Sequence, residues 1–352
     1  MSGVLTVARL ELKVRVRAGR WRWLLAAWFV ILVGFTVLLR LALSRAHNLD
    51  GNVGTVMYGG LQLFLLALAL LVMPALTAQS VNGDRERGTL GVLQVTGLSA
   101  FDIAGGKLLA AWGTACIFLL ASAPLVVWSM VEKGVPAIRV VIVTLVVALL
   151  LGVICAISLG LSALLSRGTT SSVLSYLSVF ALTLGTLIVF GLVTVATTQT
   201  RPVHYSTGDP NAPAGCCTTD ETVARTDLTW WILAPNPFVV LADAAPVVAE
   251  RPPVCRSFRT GGSVRTFCTV QPQNGVDPLG DISRSVRSLR SPPGQQSNVA
   301  QFQSGNRTPG GKDLVWPYGL GFDVLLGAFM FGVATRRLRT PRRTLPRGVR
   351  LA

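Results

Sequence analysis

Six runs of apolar residues, each about 20 long, constrain this chain more than any other feature. They cover residues 23–43, 56–78, 108–130, 140–165, 171–197 and 316–335. At about 1.5 Å of rise per residue, a helix of that length crosses a hydrocarbon core about 30 Å thick. The composition agrees. Of the 352 residues 51% are hydrophobic and 14% charged, whereas a soluble domain carries about a quarter charged residues. The apolar excess sits in the runs, so the expected fold is an all-α integral membrane bundle of six transmembrane helices. The last run is the least apolar. Trp21 and Trp23, Trp128, and Trp316 with Tyr318 mark run ends, where rings with an apolar body and a polar tip favour the headgroup layer. The first run comes after a long basic lead and extends too far for the apolar region of a cleavable signal. It is expected to stay as the first span.

The formal net charge is +16, nearly all of it from Arg, with Lys only at positions 13, 107, 133 and 312. Such a balance could point to nucleic acid. Here the basic residues gather beside the spans, the pattern of cytoplasmic retention, and no nucleic-acid partner is expected. The lead (Arg9, Lys13, Arg15, Arg17, Arg20, Arg22), the loop after span two (Arg85, Arg87, Lys107), Arg167 and the Arg-rich tail from Arg336 all fall on one side of a six-span chain. The opposite short links carry only Arg45, Lys133 and Arg139, and Arg40 near the outer end of span one can snorkel. The expectation is N-in/C-in, in a bacterial cytoplasmic membrane; the Arg, Ala, Gly and Val bias suits a GC-rich bacterial genome.

The chain divides into three regions. Residues 1–197 hold five spans with a cytoplasmic loop at 79–107, residues 198–315 form a long extracytoplasmic loop between helices 5 and 6, and residues 316–352 hold the sixth span and a basic tail. The insertion is rich in Pro, Gly, Ser, Gln and Arg and reads largely as loop. Within it, residues 230–245 are apolar but broken by Pro235 and Pro237. They are too short to span and suit a re-entrant or interfacial segment. Residues 279–290 place Ile282, Val286 and Leu289 at helical spacing, with Arg284, Arg287 and Arg290 elsewhere around the helix. That predicts a short amphipathic helix at the outer surface.

Cys255 and Cys268 flank Gly261-Gly262 symmetrically. A Gly-Gly two-residue turn suits a hairpin because both positions need positive φ. Counting outward, Thr260 faces Ser263, and five steps further Cys255 faces Cys268 in a non-hydrogen-bonded pair. Cα atoms in such a pair are about 4.5 Å apart, within the disulfide range. The expectation is a disulfide-closed hairpin, with Cys216 and Cys217 free, mutually bonded or paired elsewhere. Other connectivities of the four outer cysteines stay open.

The most informative segment is 78–111, AQSVNGDRERGTLGVLQVTGLSAFDIAGGKLLAA. Asp84, Arg85, Glu86 and Arg87 form a neutral mixed-charge cluster. Gly88 and Thr89 can break the chain and cap the next segment, and Leu90, Val92, Leu93 and Val95 make a short apolar stretch ended by Gly97. A second passage runs from Ser99 and Asp102 to Lys107. The segment reads as a short helix pair at the cytoplasmic surface, suited to docking a soluble partner. A solvated charged turn is the plainer alternative.

Here the sequence resembles ABC-2 type transporter permeases, actinobacterial members most of all. Glu86-Arg87-Gly88-Thr89-Leu90, Leu93, Gly97-Leu98-Ser99 and Gly106-Lys107 carry the likeness. Gly97 replaces the usual Pro of that turn. Asn236-Pro237-Phe238 and the ending from Val315-Trp316-Pro317 to Arg336-Arg337-Leu338 are also similar. The resemblance implies a dimer with a second permease copy or paralogue. It also implies cytoplasmic ABC ATPase subunits that bind the loop between spans two and three through Asp84, Arg85, Glu86, Arg87, Gly88, Thr89 and Lys107. ATP and Mg would then sit on that partner, with no cofactor on this chain.

The chain's own chemistry is sparse. Gly105-Gly106-Lys107 is followed by Leu108, and Phe101 stands at the earlier Gly position, so the phosphate-binding loop pattern fails. The two His, His47 and His204, make no H-E-x-x-H, there is no G-x-S-x-G, and the outer cysteines lack His at ligand spacing. No catalytic or metal site is expected. Asp323 lies about 10 Å along the helix from Trp316. An intramembrane acid is a functional candidate, unless it faces a watery vestibule or bonds a neighbouring helix. Tyr176, Thr183, Thr186, Thr194 and Thr197 give span five a polar stripe suited to lining a path or to bonding between helices. Ala148, Gly152, Ala156 and Gly160 form a ridge for close packing. The function expected is an exporter permease driven by a separate ATPase. The alternatives are an accessory permease for maturation of an exported metalloenzyme, or a membrane scaffold or sensor acting through its outer loop. A secondary transporter is the weakest, lacking intramembrane charge and internal repeats.

Overall fold

The computed structural model describes residues 3–17, 19–45, 53–88, 98–132, 134–204, 218–246, 254–260, 263–269, 277–290 and 314–339. Among these, six helices are long and apolar enough to cross a membrane. In hydrocarbon a backbone must satisfy its own polar groups, which a helix does within one segment. Span one is α2 (Arg20–Ser44), span two α3 (Val53–Thr77), span three α5 (Ala100–Val131) and span four α6 (Ala137–Leu164). A short helix, α4 (Asn82–Glu86), comes after span two. Span five is α7 (Gly168–Phe180), a π segment (Ala181–Gly185) and α8 (Thr186–Ala196); span six, last in the chain, is α12 (Trp316–Arg337). The expected runs all lie on these helices, with one revision. Span three starts at Ala100, not near residue 108, because Ser99 and Asp102 form a reciprocal capping box that nucleates the helix two turns earlier. The passage from Ser99 to Lys107 is therefore the N-terminal extension of span three.

Spans two, three and four carry most of the core: Leu61, Leu65, Leu66, Phe118, Val147, Leu150 and Leu151 are buried. The small-residue ridge of span four serves two neighbours. Near its middle the Trp112 indole lies against Gly152 and donates to the Ala148 carbonyl at 2.8 Å. Toward its C-terminal end, a Cβ on Gly160 would come within 2.6 Å of the Met330 carbonyl, so only glycine lets span six approach there. Spans one and five bury the least of their surface. Arg40 is not merely snorkelling: its Nε donates to Glu132 at 3.0 Å, tying span one to the end of span three.

An amphipathic helix precedes the first span: α1 (Gly3–Arg17). Val7 and Ala8 are buried and Val4, Glu11, Leu12 and Arg15 half-buried, a helical stripe turned toward span three. A Cβ on Gly106 would come within 2.5 Å of Val7, and Arg15 donates to Thr114 at 3.2 Å.

The insertion departs from an all-α description. Strands β1 (Gln199–His204) and β2 (Thr218–Val223) form one antiparallel ribbon, and β3 (Val254–Thr260) and β4 (Ser263–Thr269) another. In the second, Thr260 pairs with Ser263 and Cys255 with Cys268. The Gly261-Gly262 turn, Cys216 and Cys217 lie outside the described residues. The apolar segment folds as α9 (Thr226–Thr229), a 3₁₀ turn (Trp230–Ile232) and α10 (Pro237–Ala244), with the break at Pro235. The amphipathic stretch is α11 (Pro278–Ser288). It packs inward, with Leu279 and Val286 buried and Pro278 lying against Gly59 of span two.

Candidate functional site

At the end of the bundle where span three begins, one buried cation joins three elements. Lys107 stands two turns into span three, 1% exposed. Its ammonium donates to Glu11 of α1 at 2.6 Å, to the Ser80 carbonyl at 3.0 Å, and to Asp84 of α4. A buried ammonium is tolerated only when paired and hydrogen-bonded, so α1, α4 and span three are fixed relative to one another here. The same turn is pinned to the link between spans four and five. Ser162 Oγ accepts from Val81 and Asn82 at 3.2 and 3.3 Å, Arg85 donates to the Leu165 carbonyl at 3.1 Å, and Ser171 donates to the Ala78 carbonyl at 2.8 Å.

The mixed-charge cluster thus divides. Asp84 and Arg85 face inward and hold the turn, while Glu86, Arg87 and Gly88 are exposed at its tip. Gly88 has φ of 69°, the left-handed conformation that ends α4 without a Cβ penalty. Thr89 and the apolar stretch to Gly97 lie outside the described residues. Glu11 was not singled out from the sequence. Its signal was the i, i+3, i+4 spacing of Val4, Val7, Ala8, Glu11 and Leu12 within what reads as a basic lead.

The end of the bundle where spans four and six begin has a matching anionic centre. Asp243, at the end of α10, is 1% exposed. One carboxylate oxygen accepts from Ser283 at 2.9 Å and Arg287 at 2.5 Å; the other accepts from the Val315 and Trp316 amides at 2.7 and 2.8 Å. It therefore caps span six, where a carboxylate also suits the helix dipole, and binds α11 to α10. Arg139, at the start of span four and fully buried, donates from one nitrogen to both oxygens of Asp277, the N-cap of α11, at 2.7 and 2.8 Å. At the sequence level Arg139 counted only as a loop charge.

The polar stripe of span five resolves into bonds between and within elements. Tyr176 donates to the Leu71 carbonyl of span two at 3.1 Å, and Thr194 pairs with Thr229 at 3.0 Å. Thr183 and Thr186 bond back to their own helix. Asn236, N-cap of α10, donates to the Thr183 carbonyl at 2.8 Å and to Thr186 Oγ1 at 2.9 Å. The π segment at Ala181–Gly185 leaves carbonyls off the regular ladder, and Asn236 takes one of them. Asp323 is 1% exposed, and neither carboxylate oxygen has a hydrogen-bond partner among the described residues.

Residues 5–232 match the family described as ABC-2 family transporter protein. The match takes in five spans, α1 and the Lys107 cluster, and covers more than half of the chain, so the chain belongs to that family. No curated protein matches it. It is a multi-pass membrane protein and a permease component of an ABC transporter.

Proposed function

We propose that this permease is the membrane half of an exporter, in which a cytoplasmic ATPase docks on the exposed tip of α4 and moves the loop between spans two and three. The observation that carries this reading is the division of one five-residue helix. Glu86 and Arg87 face out, and Asp84 faces in to Lys107. A partner that displaces the tip pulls on Lys107, and through it on α1 and span three. Both termini then lie in the cytoplasm of a bacterial inner membrane, and residues 198–315 lie outside. A second copy or a paralogue completes the pathway. ATP and Mg bind to the ATPase, and this chain contributes no catalytic group.

The test is co-purification from membranes with the cognate ATPase, together with its turnover. Glu86→Lys places a cation beside Arg87 at the exposed tip without touching the Lys107 cluster. We expect retention of the ATPase and stimulated turnover both to fall several-fold. Unchanged retention and turnover would leave the tip a solvated turn and remove the docking surface.

A further inference from the structure

Five charged side chains are buried among the described residues: Lys107, Arg139, Asp243, Asp277 and Asp323. Four of them close on partners within the chain. Asp323 does not; both its oxygens are buried and unpartnered. The buried charged groups on the elements packed against span six each have a counter-ion, and of these Arg139 keeps Nε and Nη1 without a hydrogen-bond partner among the described residues. Arg139 of span four is held by Asp277, Lys107 of span three by Glu11 and Asp84, and Asp243 of α10 by Arg287, Ser283 and two amides.

The surroundings point to what Asp323 accepts. Gly319 and Gly327 lie one turn above and one turn below it on the buried face of span six. A Cβ at Gly319 would collide with the Ala234 carbonyl, and one at Gly327 would touch Val153 of span four. Ala234 belongs to the break between the 3₁₀ turn and α10, where Pro235 has no N–H to offer. A carbonyl at a break in a helical segment thus abuts span six one turn above an unpaired carboxylate. A helix break with free carbonyls beside an intramembrane acid is an arrangement that binds cations.

We propose that Asp323, with the Ala234 carbonyl above it, forms a monovalent-cation site between span six and the break before α10. An alkali ion and the ammonium group of an amphiphilic cargo share this chemistry: a single positive charge accepted by a carboxylate and a carbonyl. The site does not depend on ATPase docking at α4.

The experiment uses the full chain alone in nanodiscs, so it does not involve the ATPase. Thermal unfolding is followed while sodium chloride, or octylammonium chloride, replaces N-methylglucamine chloride at constant ionic strength. Octanol controls for the apolar tail. The wild type should be stabilised saturably by one cation. Asp323→Asn should bind it roughly tenfold to a hundredfold more weakly, the loss expected when a charged hydrogen-bonded contact is removed. Asp323→Glu, which keeps the carboxylate, should retain a measurable shift. A response to sodium identifies an ion site, and a response to octylammonium but not octanol identifies a cargo site. Equal responses of wild type and Asp323→Asn to both cations would overturn the proposal. So would a protonated-carboxyl infrared band, absent from Asp323→Asn, that persists at saturating concentrations of either cation.

Discussion

Replacing Lys107 by Met tests the Lys107 cluster most directly. Met keeps much of the volume and removes the charge. The ammonium holds one oxygen of Glu11 and one of Asp84, so these oxygens are at most about 5 Å apart. Without the cation, their repulsion is about 3 kcal/mol at an effective dielectric of about 20. The Ser80 carbonyl loses a hydrogen bond worth about 1 kcal/mol. The sum falls within the roughly 3–5 kcal/mol typical of breaking a buried pair. Because Glu11 and Asp84 are 21% and 19% exposed, water recovers part of that, and we take about 3 kcal/mol. The cost falls on α1 and α4, since the outer network shares no partner with them. At about 1.4 kcal/mol per tenfold, local opening of α1 should rise about a hundredfold. Amide exchange would read this as faster exchange over residues 3–17 and 82–88, with residues 237–244 and 278–288 unchanged. ATPase stimulation should fall in parallel. Adding Glu11→Gln and Asp84→Asn to Lys107→Met should recover much of the protection, because the repulsion is gone. Unchanged exchange at α1 in Lys107→Met would refute the claim that this cation holds the three elements together.

Two further outcomes concern the outer side. Asp243→Ala strips the cap from span six and removes the carboxylate that pairs with Arg287, leaving that guanidinium only the carbonyl of residue 243, at a cost of about 3 kcal/mol. Limited proteolysis from the outside should then cut between α10 and α11 while the Lys107 end keeps its exchange protection, and Asp243→Asn should fall in between. Non-reducing peptide mapping should recover a Cys255–Cys268 bond, because the strands place these residues opposite each other. A peptide joining Cys216 or Cys217 to Cys268 would refute it.

The spans were legible because the bilayer imposes one length and one polarity, and each run meets both. The Cys255 and Cys268 register was legible because a two-residue hairpin reduces to counting from Gly261-Gly262. The first helix was not. Its outward face mixes Leu5, Leu10, Val14 and Val16 with Arg9, Lys13 and Arg17, while its inward face includes Glu11 and Arg15. Charge on the buried side and aliphatics on the exposed side blur the amphipathic pattern. Lys107 stood out as part of a Gly-Lys motif, but its partner Glu11 lies 96 residues away, and no local pattern links them. Asp243 was invisible for the same reason: it caps a helix that begins 73 residues later. Sequence periodicity reports which face is buried, and it is silent on which charge a distant element will supply.

The placement of the two charge clusters bears on how such a bundle can move. Between them lies the packed body, where span six meets span four backbone to backbone at Gly160 and Met330. Close-packed contacts of that kind resist gradual deformation. The ends are different. Each depends on one buried charge whose bonds reach several elements: Lys107 for α1, α4 and span three, and Asp243 for α10, α11 and span six. A buried charge is costly when half paired, so each cluster favours either complete closure or complete release into water over a partial opening. That makes the two ends switch-like and the middle a rigid lever. Span three carries Lys107 near one end and Glu132, the partner of Arg40 on span one, just past the other. On the proposed docking at α4, a displacement there would travel along span three toward Glu132. Releasing Arg40 with Glu132→Gln should therefore weaken the coupling between α4 and the outer half of span one while leaving the Lys107 cluster closed.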